Sequence, residues 1–409
     1  VTTIRPGVRR LVIVGASLTA ARAAEEARRI GFDGDVVLIG AESHPPYDRP
    51  PLSKDYLTSV TEPSLDLHID ASAIGVELMT GTTATGLDAR NRTVRTSGGD
   101  VPYDALIIAT GSVPRTLDVG AGLAGVTTLR SAADAQLIRG ALHPGAKVVI
   151  VGAGFIGGEV ASSARARGAE VTMIEEQTLP LAHAVGQLVA ERLAFLHRQY
   201  GVDLRTGVMV RDLTGAGRVQ RVHLTDGQVL DTDLVVVGIG VTPATRWLKG
   251  SGVAVSDGVA CSPYLESTVP GVYAAGDVAR WVNPWNGRST RLEHWTSSGE
   301  QAAVAARNAL TDDQEPCTVV PYFWSDWYGH KLQMLGESAD EVELVTDGGA
   351  TEPFLERYRF DGQLVGGFSL DRTGSLMRQR RQITDRASWE SMLRAPDGAA
   401  VAVVGSEAS

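Results

Sequence analysis

Apolar positions along the first 280 residues fall into short β-branched runs separated by alanine-rich helical stretches. "KVVIV" (147–151) leads into "GAGFIGGE" (152–159) and then "VASSARARGAE" (160–170). This order predicts a strand, a tight glycine turn and a helix. The same order occurs earlier in "RRLVIVGASLTAARAAEEAR" (9–28). Each helix leads into a second apolar run, "DVVLIGAE" (35–42) and "AEVTMIEE" (169–176). The pattern is the strand–helix–strand unit of a dinucleotide-binding fold, present twice. "YDALIIATG" (103–111), "TDLVVVGIG" (232–240) and "GVYAAGDVAR" (271–280) read as buried strands that deliver backbone to a ligand at their C-terminal ends. In the last of these, Asp277 is expected to open a helix. Beyond about residue 320, "KLQMLGE", "EVELVTD" and "LERYRFDGQLVGGFSL" predict antiparallel strands with Asp-Gly turns. "AVAVV" (400–404) is expected to form an edge strand, and the last residues to fray. The fold class is therefore α/β, with two Rossmann-like domains followed by an α+β domain built on an antiparallel sheet.

The second turn carries the full glycine pattern, Gly152, Gly154 and Gly157. The first glycine permits the turn, the second lets backbone approach a pyrophosphate, and the third lets helix and strand pack closely. Glu175 ends the following strand, where a carboxylate accepts both ribose hydroxyls of NAD and repels a 2′-phosphate. Glu176 adds a second negative charge. The first turn has Gly15, Ser17 and Ala20 at the corresponding positions, with Glu42 as the matching acid. Its reading is open between a ligand turn and a purely structural one. Asp277 is either a helix cap or a ligand for a ribityl hydroxyl.

Composition removes several classes. Across 409 residues the net charge is −10, which disfavours nucleic acid as a partner. No apolar run reaches the length of a membrane span, and the N-terminal run Leu11–Val14 is too short for a secretory signal, so a cytoplasmic location is expected. The two cysteines, Cys261 and Cys317, lie far apart. They cannot supply a four-cysteine iron–sulfur cluster or an adjacent redox pair, and no metal site is expected.

"PPYDRPPLSKDYL" (45–57) is a proline-stiffened segment that fixes Arg49 and Lys54. Taken with GASLTA, ATG, GAGFIGGE, GIGVTP and AAGDVA, it resembles the FAD- and NAD-dependent pyridine nucleotide reductase superfamily. "EHW" (293–295) and "YFWSD" (322–326) narrow the resemblance to the ferredoxin reductases of bacterial oxygenase systems. The resemblance spans nearly the whole chain. It implies an FAD domain at 1–111 and 242–320, an NAD domain at 112–241 and a C-terminal domain at 321–409. It places Gly15, Ser17, Leu18, Thr19, Ala20, Glu42, Arg49, Lys54, Ala84, Arg130, Asp277, His294, Trp295 and Trp324 against FAD. It places Gly152, Gly154, Phe155, Ile156, Gly157, Glu159, Glu175 and Gly240 against NAD. It also pairs Glu159 with Lys54, keeping that ammonium charged beside the flavin. An exposed first-turn acid favoured by the helix dipole is the other reading of Glu159.

The implied activity is NADH:ferredoxin oxidoreduction, with electrons passed to a small acidic iron–sulfur ferredoxin that feeds a monooxygenase or dioxygenase. The alternatives are a reductase for rubredoxin or another small acceptor, a disulfide reductase or peroxidase, and a flavin-bound redox sensor of the apoptosis-inducing-factor type. For docking of an acidic partner, the candidate basic groups are Arg288 with Arg291, and Arg378, Arg380 and Arg381, with Arg307 extending the face.

Overall fold

The computed structural model describes residues 3–67, 74–344 and 352–393. The expected edge strand at 400–404, the C-terminal tail and the Asp-Gly step at 347–348 lie outside the described residues. The chain divides into two compact units, one of Val1–Asp48, Ser64–Val113 and Val241–Val320, the other of Arg49–Pro63, Pro114–Gly240 and Pro321–Ser409.

In the first unit, strand β1 (Arg10–Val14) leads through the Gly15 turn into helix α1 (Leu18–Arg29) and then strand β2 (Asp35–Ile39). They belong to a parallel sheet in the order Val272–Ala274, Ala105–Ile108, β1, β2, Val76–Met79. Both faces of β1 are covered, which is why its core residues read as a continuous apolar run rather than an alternation. Leu11 and Ile13 pack with Ala20, Ala23, Ala24 and Ala27 of α1 and with Ala302, Ala305 and Ala306 of the helix Trp295–Leu310. Val12 and Val14 join Leu106, Ile108 and Val272 on the other face. The alanines let the two helices approach the sheet and each other closely.

The second unit repeats this plan. Strand β3 (Lys147–Val151), helix α2 (Phe155–Ala166) and strand β4 (Glu170–Glu175) belong to a parallel sheet ordered Asp203–Thr206, β4, β3, Leu234–Val237, Val126–Thr128. Each unit also carries a three-stranded antiparallel meander, Ala84–Pro102 in the first and Val210–Asp231 in the second.

The C-terminal part of the second unit is a five-stranded antiparallel sheet. Its order is β5 (Tyr322–Trp327), His330–Gly336, Gln363–Leu370, Phe354–Phe360, Glu341–Leu344. The turn between its longest strands is Asp361–Gly362, both at positive φ (50° and 68°), the geometry the Asp-Gly pair predicts. One face packs Phe354, Tyr358, Phe368 and Trp327 against Leu193 and Leu196 of the helix Gln187–Gln199.

One expectation fails here. No helix follows Asp277; the chain turns through 276–278 directly into the strand Ala279–Asn283. Val278 and Ala279 are wholly buried beside β1 and its neighbours, so the apolar residues after Asp277 continue a sheet rather than build a helix face.

Glu356 sits on the apolar face of the C-terminal sheet with both carboxyl oxygens buried and without a hydrogen-bond partner. Burial pushes its carboxyl up from 4.5 to about 7, against the pull of Arg192, which lies over the Phe354 ring. The folded chain thus holds this proton more tightly than the unfolded chain. The associated stability is complete below about pH 4.5 and is lost as pH rises through about 7. Glu356→Gln, which mimics the protonated carboxyl, should change stability little near pH 5 but raise it by about 1–3 kcal/mol near pH 8. Thermal unfolding at the two pH values checks this; an equal effect at both would refute it.

Candidate functional site

The two strand-to-helix turns are built by steric demand that can be read atom by atom. A Cβ on Gly152 (φ +102°) would lie 2.3 Å from the Gly238 carbonyl oxygen, and one on Gly157 would lie 2.2 Å from that of Gly152. Neither position accepts a side chain. Gly154, in contrast, faces open space, with nothing within 4 Å of a Cβ built there. It is the N-cap of α2, and no side chain caps the helix. The first-turn N–H groups therefore border a space large enough for a ligand's phosphates to approach the backbone. Glu175 reaches back across this turn: its Oε2 accepts from Ala153 N at 2.9 Å and its Oε1 from Gln177 N at 2.9 Å. That fixes the carboxylate at the strand end where a ribose would sit. Glu176 is exposed beside it. Ile156 is exposed at the head of α2, and Gly240 takes a φ of +94° after the strand Leu234–Val237. These residues fit a bound dinucleotide.

The first turn keeps only the glycine that sterics require. A Cβ on Gly15 (φ +120°) would meet the Ala109 carbonyl oxygen at 2.1 Å, whereas Ala20 is accommodated and wholly buried. Ser17 stands at the N-cap of α1 without a side-chain cap hydrogen bond, and Leu18 and Thr19 open the helix. Thr19 is buried against Gly276, where a Cβ would lie 2.6 Å from its hydroxyl. Glu42 follows β2 and accepts from Tyr47 Oη at 2.6 Å. Ala84 begins the meander. Asp277 accepts from Ser112 Oγ at 2.7 Å. His294 is the N-cap of the helix Trp295–Leu310, and removal from water pushes its imidazole down to about 4, despite the charge of Asp277. Trp295 donates Nε1 to Asp48 at 2.8 Å.

In the second unit, the proline block forms a 3-10 turn, Pro50–Ser53, followed by the short helix Asp55–Thr58. The turn brings Lys54 to α2: its Nζ lies 2.8 Å from Glu159 Oε1, with side-chain exposures of 18% for Lys54 and 3% for Glu159. Glu159 is therefore not an exposed helix-head acid. Ser53 Oγ donates to Glu159 Oε2, and Ser325 Oγ of β5 donates to Oε1 at 2.6 Å. Arg49 Nη1 donates to the Arg130 carbonyl at 2.5 Å, so these two expected residues also meet. Phe155 contacts the Phe323 ring at a centroid distance of 4.5 Å, and Trp324 stacks on Tyr322. Ser53, Ser325, Ser112 and Asp48 were not singled out by sequence. Ser53 and Ser325 lie inside the two quoted blocks, but a serine there gives no signal of its own.

The basic candidates divide. Arg288 is exposed on the strand Arg288–Thr290, and Arg378, Arg380 and Arg381 are exposed on two short C-terminal helices. Arg381 is 93% exposed and 3.6 Å from Asp385. Arg291 does not fit the expected surface role. Its side chain is only 13% exposed and bridges Asp257 and Glu293, while Nη1 donates to the Asp277 carbonyl. Arg307 is tied to Glu26 and Glu315. Both hold the first unit together.

Burial pushes both thiols, Cys261 and Cys317, up to about 12. Neither supplies a thiolate near neutral pH. Residues 9–307 match the model of the pyridine nucleotide-disulphide oxidoreductases, and residues 322–399 match a reductase C-terminal domain. The chain belongs to the pyridine nucleotide-disulphide oxidoreductase family. Within this family it is 33% identical, over 92% of its length and 94% of the relative's, to the ferredoxin–NAD(+) reductase component of the biphenyl dioxygenase system of Paraburkholderia xenovorans. It is 34% identical to rhodocoxin reductase of Rhodococcus erythropolis, covering 91% and 88% of the two chains. Among solved structures it matches putidaredoxin reductase in its covalent complex with putidaredoxin, with a TM-score of 0.89, 29% identity and coverage of 95% and 96%. Among the described residues no helix is long and apolar enough to cross a membrane, and no cluster of side chains could hold a metal ion.

The glycine geometry separates two kinds of substitution. Gly157→Ala should lower the melting temperature, at a cost of about 1–3 kcal/mol, because its Cβ overlaps backbone. Gly154→Ala should stay within about 0.5 kcal/mol of the parent while weakening dinucleotide binding. Thermal unfolding and equilibrium titration with NAD measure the two effects; equal destabilisation would contradict the geometry.

Proposed function

We propose that the chain is an FAD-dependent NADH:ferredoxin oxidoreductase that supplies electrons to a monooxygenase or dioxygenase through a small acidic iron–sulfur protein. The observation that carries this reading is the buried Lys54–Glu159 pair, which sets a held positive charge one turn from the head of the dinucleotide helix. The weak thiol acidity of Cys261 and Cys317 argues against the disulfide reductase alternative. The activities named for the relatives support the ferredoxin as acceptor.

FAD, when bound, supplies the step from two-electron donor to one-electron acceptor, chemistry that no side chain of this protein provides. The protein's part is to bind, orient and tune. The Gly15 and Gly152 turns present helix N-termini to the two pyrophosphates. Glu175, held by Ala153 N, accepts ribose hydroxyls and disfavours a 2′-phosphate. Asp277 and Arg49 are the proposed polar anchors of FAD, with His294, Trp295 and Trp324 at its ring. Glu159 holds the Lys54 ammonium in place, where it would stabilise negative charge on a reduced flavin. Arg288 in the first unit, and Arg378, Arg380 and Arg381 in the second, are the proposed basic groups that meet the acidic partner, and their charge raises the encounter rate.

Steady-state turnover with NADH and a purified ferredoxin tests the reading. Slow flavin reduction with no ferredoxin turnover would favour the sensor alternative. The kcat/KM for NADH should exceed that for NADPH by at least about tenfold, and equal values would remove Glu175 from the ribose site. Charge reversal at Arg380 and Arg381 should slow ferredoxin reduction and flatten its salt dependence, yet leave ferricyanide reduction unchanged. Equal losses with both acceptors would rule these arginines out as a docking face.

A further inference from the structure

Glu159 receives three donors on a carboxylate that is 3% exposed, and they come from two separate parts of the chain. Lys54 and Ser53 belong to the proline-block turn, and Ser325 belongs to the C-terminal sheet. The Ser325 hydroxyl is wholly buried. Strand β5 and Tyr328 just after it hold α2 at three further points. Trp327 Nε1 donates to the Phe155 carbonyl at 3.2 Å, and Tyr328 N donates to Ser162 Oγ at 2.6 Å. The Trp327 ring also lies where a Cβ on Gly158 would be 2.3 Å from it, so glycine is required there for the strand to seat. Ser325 and Trp327 share one face of β5, and Trp324 points to the other.

We propose that Ser325 is a positioning residue: through its hydrogen bond to Glu159, the C-terminal sheet fixes the carboxylate that holds the Lys54 ammonium in place. The proposal rests on the reading of Lys54 and Glu159 given above. The physical argument is one of degrees of freedom. A glutamate on a helix has three side-chain torsions, and the ion pair with the flexible lysine leaves both partners free to move together. Ser53 precedes Lys54 on the same turn, and its carbonyl accepts from Ser163 of α2, so it refers the carboxylate only to its own helix and to the lysine's turn. Ser325 reaches the carboxylate from an independent element and gives it a reference outside the pair. It also supplies one of the hydrogen bonds that a carboxylate needs once it is taken out of water.

Loss of the hydroxyl should act on Lys54 only by way of Glu159. In the FAD-loaded protein, Ser325→Ala should slow flavin reduction by NADH roughly three- to tenfold. It should also shift the FAD midpoint potential to lower values, because a less firmly placed ammonium stabilises the reduced flavin less. Made in the Glu159→Gln background, Ser325→Ala should change either quantity by no more than about twofold or its equivalent. Ser325→Cys, nearly equal in volume and a poor donor, should fall between serine and alanine, and it carries the same test should the alanine variant not fold. An effect of Ser325→Ala that is undiminished in the Glu159→Gln background would overturn the proposal, as would a parent-like rate and potential. If Glu159→Gln itself leaves both quantities unchanged, the fault lies with the reading of the Lys54–Glu159 pair, and the proposal falls with it.

Discussion

A carboxylate taken out of water must be given back the interactions that water supplied. Glu159 is buried in the first turns of a helix, and its oxygens are satisfied by an ammonium and two hydroxyls. That single requirement ties together three stretches that are remote in sequence: the proline block, the dinucleotide helix and the first strand of the C-terminal sheet. Removing any donor exposes the others to the cost of an unsatisfied buried charge, so the three stretches are constrained to one another more tightly than apolar packing alone would demand.

The rest of the second unit fits around this constraint. Gly158 is required because the Trp327 indole occupies the space of its side chain. Ser53 itself is held, its carbonyl accepting from Ser163 Oγ at 2.7 Å. The proline block packs with the second unit although it follows β2 of the first in the chain. A short, stiff segment suits that task, since prolines lower the entropy lost in holding Lys54 against the helix.

Much of this was legible in the sequence because it depends on local pattern. The β-branched runs, the glycine spacing and the acidic strand end at Glu175 each show as a pattern inside one strand–helix–strand unit, as with Ala153 N to Glu175, even though the backbone that demands Gly15 and Gly152 is supplied by the distant Ala109 and Gly238. The Lys54–Glu159 pair was reached through the resemblance, because nothing in the spacing of 54 and 159 brings them together. Where local pattern was ambiguous it misled. The apolar residues after Asp277 suit a helix face or a strand, and only burial on the sheet decided for the strand. Arg291 looked like surface charge because arginine usually is. Two acids folded against it, Asp257 and Glu293, turn it into an internal brace. The serines stayed hidden because a hydroxyl takes its meaning from the acceptor the fold supplies.

The separation of Ser325 from Glu159 also bears on how the protein is made. Synthesis runs from the N-terminus, and 166 residues divide the hydroxyl from its acceptor. Helix α2 and the proline block emerge well before β5 exists, so during that interval the far side of the carboxylate has only solvent to bind. Domains tend to fold as they emerge, but this one reaches its final hydrogen-bond complement only after the C-terminal sheet has docked. Lys54 is thereby locked into register last, when the C-terminal sheet is present. A chain released prematurely, short of residue 325, would carry both glycine turns and lack the strand that fixes Glu159.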